Sequence, residues 1–229
     1  MSSTPRAPLP LPKVAGLAVP ADFAARAKDL GASLDETRTE QLAAFLGLML
    51  AMNEQMNLTA ITEPEAVWSR HALDALSLVP HLTDLPAGAR VLDVGSGGGV
   101  PGIPLAIARP DLRVTLLDAT EKKIHFLQDA AASLGLANVE AVAGRAEEAE
   151  LGAPFDAVVA RAVAKISTLL GWTAPFAKDG GRLLFIKGEK AETELRDAKK
   201  ELRKFHATHE RTVPTPTGRV VVLRVSTSS

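Results

Sequence analysis

The chain has 229 residues, 46% of them hydrophobic and 23% charged, with a formal net charge of −1. Such a length buries a sizeable core, and the composition is that of a folded globular chain rather than a disordered one. Cysteine and tyrosine are absent. This excludes disulfides, thiolate nucleophiles, cysteine-ligated zinc or iron–sulfur clusters and a tyrosine acid or base, and the balanced charge leaves any case for nucleic acid to local patches.

Pro5, Pro8, Pro10 and Pro12 break any helical apolar run at the N-terminus. Residues 1–20 therefore read as an extended, mobile tail and not as a secretory signal. No run of about 18 apolar residues exists, so a membrane-spanning helix is not expected and a cytoplasmic protein is. From 21 to 86 the signals are helical. A short helix follows Pro20 and stops near Gly31. Ser33 with Glu36, and Thr62 with Glu65, have capping-box spacing. The first of these opens a helix with Leu42, Phe45, Leu46, Met49 and Met56 on one face, ending around Asn57. The second opens a helix that buries Val67, Trp68, Ala72, Leu76 and Val79, with Pro64 in its first turn.

From Arg90 onward strands and helices alternate. Strands are expected at Val91–Val94, Val114–Asp118, Val139–Ala143, Phe155–Ala160 and Arg182–Lys187, the last after a turn at 178–181. Helices are expected at 121–134, 164–173 and 190–205. Residues 208–213 and 219–226 read as an antiparallel hairpin around Pro214–Gly218. The alternation predicts an α/β fold: a Rossmann-like, mostly parallel seven-stranded sheet with a reversed last strand, as in methyltransferases, preceded by a helical subdomain at 21–86.

The loop Asp93-Val94-Gly95-Ser96-Gly97-Gly98-Gly99 follows the first strand of this block and precedes a helix. In an open parallel sheet that turn lies at the ligand crevice, and glycines are needed where backbone turns tightly or touches a ligand. Two cofactors compete. A dinucleotide would set its pyrophosphate on free N–H groups at the helix start, but Pro101 and Pro104 remove two donors and Asp93 would repel phosphate. S-adenosylmethionine carries a cationic amino group and sulfonium and suits an acidic loop. Asp93, Gly95, Gly97 and Gly99 are the candidate contacts. Asp118, 23 residues after Gly95, suits the ribose hydroxyls of either cofactor. Ala146 and Glu147, after the third strand, should lie near the adenine.

The acceptor is narrowed by exclusion. No Asn/Asp-Pro-Pro-aromatic tetrapeptide follows Phe155–Val159, and pyrimidine carbon methylation lacks its cysteine. Ring nitrogens, ribose hydroxyls, protein side chains and small molecules remain. A guanine N7 is chemically attractive because its lone pair needs no general base; alignment then supplies the catalysis.

Seven segments, in order, resemble the RsmG (GidB) family of bacterial 16S rRNA methyltransferases: Asn57-Leu58-Thr59, Arg70-His71-Ala72-Leu73-Asp74, 91–104, Leu117-Asp118, 145–148, Val159-Ala160-Arg161-Ala162 and Lys187-Gly188. The resemblance implies methylation of N7 of guanine 527, in the 530 loop of 16S rRNA, with 16S rRNA or the 30S subunit as partner. It implies cofactor contacts at Gly95, Val100, Ala146, Glu147 and Arg161, and an acceptor-side polar cluster at Arg70, His71 and Asp74. Met56 stands where members often have an aromatic residue. Lys187-Gly188 ends a strand where an ammonium and open backbone could approach a phosphate or base, so Arg70, His71 and Lys187 are the candidate catalytic residues. The basic stretch Arg196, Lys199, Lys200, Arg203, Lys204 and Arg211 is a candidate phosphate contact. His125, His206 and His209 show no metal-ligand spacing, and no metal is expected. A monomer is expected. The alternatives are a methyltransferase acting on a small molecule or protein, and an NAD-binding protein.

Overall fold

The computed structural model describes residues 6–161 and 163–226. Five parallel strands form its centre: β1 (Arg90–Val94), β2 (Arg113–Asp118), β3 (Val139–Ala143), β4 (Phe155–Arg161) and β5 (Ala177–Lys187). The hairpin β6 (Ala207–Pro214) and β7 (Arg219–Val225) completes a seven-stranded sheet of order β3-β2-β1-β4-β5-β7-β6, in which β7 is antiparallel to both neighbours. The predicted turn at 178–181 is instead an irregular stretch within β5, where the register against β4 shifts.

Before the sheet come α1 (Phe23–Asp29), α2 (Glu36–Met56), α3 (Pro64–Val67), a π-helical segment Trp68–Leu73 and α4 (Asp74–Leu76). Asn57 ends α2 in the left-handed region, at φ 50°. The caps differ from the expected ones. Asp35, not Ser33, accepts the Arg38 N–H, and Glu63, not Thr62, accepts the N–H groups of Glu65 and Ala66. In both cases the residue adjacent to the helix has the extended backbone that aims its carboxylate at the free donors.

Strand alternation divides the core. Val91, Ala157, Val159, Leu184 and Ile186 face α2, α4, α5 (Gly102–Ala108) and α6 (Glu121–Ser133). Leu92, Val94, Val158, Leu183 and Phe185 face α7 (Ile166–Thr173) and α8 (Ala191–Asp197). The predicted helix 190–205 is divided at Ala198 into α8 and α9 (Lys199–Lys204). The helices of 21–86 share one continuous core with the first sheet face: Phe45, Leu46 and Trp68 belong with Ile103, Leu105 and Leu127. The change of element type near residue 86 therefore does not separate two cores.

The flexible-tail reading of 1–20 needs correcting for residues 6–20; residues 1–5 lie outside the described residues. Arg6 and the Leu9 N–H both hold the Asp129 carboxylate of α6, at 2.8 Å each. Leu17 N–H donates to Ala43 O, and Trp68 Nε1 to Ala18 O. Leu9, Leu11 and Leu17 pack on the core. The prolines prevent a helix, as expected, and the leucines between them give the extended chain an apolar edge to bury. The Asp129→Ala variant should lose about 1–2 kcal/mol of unfolding free energy in urea titrations. It should also become several-fold more sensitive to limited proteolysis within 6–20, and unchanged cleavage would show that Asp129 does not hold the strap.

Candidate active site

Three connected cavities follow the C-terminal ends of the strands. The first, of about 210 Å³, is lined by Gly95, Asp118, Ala146, Glu147, Val163 and Trp172 among others. The second, about 190 Å³, lies against Gly95, Gly97, Val100, Thr59 and His71. The third, about 600 Å³, holds Thr59, Arg70, His71, Asp74, Lys187 and Thr217. Gly95 and Val163 line both of the first two; Thr59, His71 and Arg161 line both of the last two. The trough thus begins on the α7 side of the sheet, beside Leu117 and Trp172, crosses the strand ends at the glycine loop and opens on the side of the N-terminal helices.

The loop is fixed from within. The N–H groups of Gly95 and Ser96 donate to Leu117 O at 2.8 and 3.0 Å, that of Gly97 to Asp118 Oδ2 at 2.8 Å and that of Gly99 to Ser96 O at 2.7 Å. Gly102 N–H donates to Asp93 Oδ2 at 2.9 Å and Ile103 N–H to Gly99 O at 2.8 Å. Pro101 and Pro104 have no N–H. Almost no donor remains for a diphosphate, which a dinucleotide site requires.

Asp93 is fully buried, so the expectation that it meets a ligand's amino group is corrected. Alternation puts it on the same face as Val91, beneath α5. There it orders the loop while its Oδ1 has no partner. Burial raises its pKa to about 7, against the opposing pull of the Gly102 hydrogen bond. Gly99 is also corrected: a side chain there would meet Leu127, Ile103 and Phe45, so this glycine permits packing and does not line the trough. Gly95 and Gly97, at φ 73° and 54°, do line it. Both Asp118 oxygens hold backbone N–H groups, of Gly97 and Thr120. A carboxylate offers about four lone-pair positions, which leaves room for further hydroxyl donors.

On the opposite bank, His71 is 1% exposed, with Nε2 2.8 Å from Thr59 Oγ1 and Nδ1 unpartnered. Desolvation, reinforced by the Arg161 charge, lowers its pKa to about 3, so the ring is neutral near pH 7. Arg161 Nη1 donates to Arg70 O at 2.6 Å and so ties β4 to the π-helical segment. Burial lowers the pKa of this guanidinium, and the charges of Asp74 and Asp93 oppose the shift. Asp74, four residues after Arg70, is buried. Its oxygens accept the N–H and hydroxyl of Thr217, in the β6–β7 loop.

Lys187 is corrected in part. It lines the large cavity, but strand parity turns it, like Leu183 and Phe185, toward α8, where its ammonium meets Glu194 Oε2 at 2.8 Å and Ala164 O at 2.6 Å. The basic stretch 196–204 is exposed but badly placed for the trough. The chain leaves the strand ends at Lys187, and α9 lies at the opposite edge, just before β6 begins. Thr59, Val163, Trp172 and Thr217 were not among the predicted site residues. Only Thr59, within Asn57-Leu58-Thr59, carried a sequence signal. Ala162 lies outside the described residues. Among the described residues no group of three or more His, Asp or Glu side chains could hold a metal ion, and no helix is long and apolar enough to cross a membrane.

Solved structures share the architecture. A SAM dependent methyltransferase from Aquifex aeolicus matches with a TM-score of 0.55 at 18% identity, over 77% of this chain and 98% of its own. Ribosomal protein L11 methylase from Lactobacillus delbrueckii subsp. bulgaricus gives 0.54 at 17% identity, over 67% and 77%. The fold is therefore that of the Rossmann-like methyltransferases. The family model "GidB: rRNA small subunit methyltransferase G" matches residues 38–220. A relative from Sorangium cellulosum (strain So ce56), named ribosomal RNA small subunit methyltransferase G, is 51% identical over 96% of this chain and 94% of its own length. Relatives of the same name from Pseudomonas paraeruginosa and Methylobacillus flagellatus are 41% and 44% identical, over 84% and 73% of this chain and 88% and 80% of their own. The chain belongs to the rRNA small subunit methyltransferase G family.

Two outcomes follow from the loop. The Gly95→Val variant should lose binding of S-adenosylhomocysteine in calorimetry while staying folded by circular dichroism, because a Cβ there would lie 2.5 Å from Val163 and φ is positive. Asp93 should make stability fall as pH rises. Its folded pKa of about 7 lies above its ordinary value of 3.8. Its contribution is thus fully present below the unfolded value and is lost as pH rises through the folded one. His71, with its pKa lowered to about 3, acts in the opposite sense. Thermal melts of wild type and Asp93→Asn between pH 4 and 7.5 should therefore converge or cross with rising pH, the variant gaining relative stability. A constant difference would show that Asp93 does not titrate in this range.

Proposed function

We propose that this chain transfers a methyl group from S-adenosylmethionine to N7 of guanine 527 in the 530 loop of 16S rRNA. It would act in the cytoplasm as a monomer on the 30S subunit or an assembly intermediate. The observation that carries the cofactor is the glycine loop, most of whose N–H groups are spent on Leu117, Asp118, Ser96, Asp93 and Gly99. Such a loop offers a shaped backbone without a diphosphate cradle.

In this reading the first cavity takes the adenosine. Asp118 receives the ribose hydroxyls, and Ala146 and Glu147 meet the base edge. Gly95, Gly97 and Val100 pass the cofactor across the strand ends toward Arg161. The bound cofactor supplies an electrophilic methyl on a sulfonium. The chain's part is alignment and exclusion of water.

The acceptor bank fits an atom that needs no deprotonation. His71 is neutral, and with a pKa of about 3 it is a poor proton acceptor. Asp74 is engaged by Thr217. Guanine N7 presents its lone pair directly. Arg70 and Arg161 place positive charge beside the cavity for an anionic RNA strand, and Arg70 is the exposed one. Lys187, held by Glu194, shapes the cavity from its far end.

Incubation with labelled S-adenosylmethionine and 30S subunits lacking the modification should place label in 7-methylguanosine at position 527. Calorimetry should show uptake of S-adenosylhomocysteine and none of NAD. Label at another nucleotide overturns the target, and binding of NAD alone overturns the methyltransferase chemistry.

A further inference from the structure

The large cavity has a wall that the proposed chemistry does not explain. Thr217 and Gly218, in the turn between β6 and β7, face Arg70, His71 and Asp74 across it. Hairpin tips are ordinarily among the more mobile parts of a domain. This one is held from three directions. Asp74, 3% exposed, accepts the Thr217 N–H at 3.1 Å with Oδ1 and the Thr217 hydroxyl with Oδ2. Within the turn, Thr215 N–H donates to Gly218 O and Gly218 N–H to Thr215 Oγ1, both at 2.9 Å. Gly218 also lies directly on the Lys187 carbonyl, where a side chain would collide with that oxygen.

From these contacts we infer that Thr217 is a positioning residue for the RNA acceptor. It latches the β6–β7 hairpin to Asp74 of the N-terminal helices and so sets the width of the cavity that receives the target nucleotide. This rests on the RNA reading given above. The latch joins residues 143 positions apart. It closes the end of the trough away from the glycine loop. It consumes a buried carboxylate that lies beside the Arg161 guanidinium. An idle carboxylate at that depth would be costly. Both of its oxygens are spent on one exposed threonine at the cavity rim, which fixes that rim against the helices. A hydrogen bond to an ionised carboxylate is among the stronger kind, and its loss should let the hairpin swing and the cavity widen.

The consequence falls on the acceptor and spares the cofactor, because Thr217 and Gly218 line only the large cavity among the three. The Thr217→Val variant keeps the side-chain shape and the backbone N–H bond but removes the hydroxyl. With 30S subunits lacking the modification, its KM for the subunit should rise by up to about tenfold, because the latched form loses the advantage of one hydrogen bond to a charged group over the widened form. kcat should stay within twofold. S-adenosylhomocysteine affinity should be unchanged, and the melting temperature should fall by only a few degrees, as the loss of one such bond requires. Thr217→Ser should restore KM, and Asp74→Asn should repeat the KM defect. A Thr217→Val enzyme with wild-type KM overturns the latch. So does a fall in S-adenosylhomocysteine affinity to match the rise in KM, which marks a merely structural bond. Wild-type enzyme assayed in parallel separates the two readings: if it methylates no 16S rRNA, the proposed function fails and the latch falls with it.

Discussion

The carboxylate of Asp93 stands where sheet, loop and helix meet, and the trough is organised around it. Having no exposed surface, it gains its place by ordering backbone: Oδ2 takes the first N–H of α5, from Gly102. Gly102 must be glycine, since a side chain there would strike Leu116 and Asp93 itself. Ser96 closes the turn onto the Asp93 carbonyl at 2.9 Å. On the neighbouring strand, Asp118 does the same for Gly97. Two carboxylates on adjacent parallel strands thus suspend the loop. Desolvation outweighs these hydrogen bonds for Asp93 and brings its pKa up to about 7, so the brace holds its proton more readily than an ordinary carboxylate.

The helices ahead of the sheet complete the site because they are not a separate body. α2 packs on α5 and α6, and Phe45 reaches the space beside Gly99. This carries Thr59, Arg70 and His71 over the strand ends, opposite the loop. The π-helical winding of Trp68–Leu73 falls on that segment, and such a local widening of the helix is frequent at functional sites. Arg161 then ties β4 to Arg70. Residues on three distant stretches of chain form one bank of the trough, with the burial around them holding His71 neutral.

Much of this was legible in the sequence, for reasons that differ by residue. The sheet could be read because apolar runs of strand length alternate with helical periodicity, and the reversed hairpin because a Pro/Gly turn separates its strands. Gly95, Gly97 and Asp118 were found because a turn after the first strand must lie at the crevice. Asp93 was misread for want of one step. Counting alternation from Val91 puts it under α5, not over the ligand. The same parity turns Lys187 toward α8 and Glu194, while Arg161 faces the N-terminal helices. Ser33 and Thr62 had capping-box spacing but not the backbone next to the helix. The tail looked free because its prolines advertise extension, while its leucines need a partner that sequence does not name.

The sequence by itself determined the order of elements, the strand–loop–helix position of the glycines and the exclusion of thiol chemistry, because these depend on local propensity, periodicity and composition. Tertiary structure alone decided which polar groups are spent on the protein and which face the trough. It gave the loop N–H groups to Leu117 and Asp118, the Asp74 carboxylate to Thr217 and the Lys187 ammonium to Glu194. Hydrogen bonding is satisfied between whichever groups folding brings within about 3 Å, and chain separation carries no record of that distance.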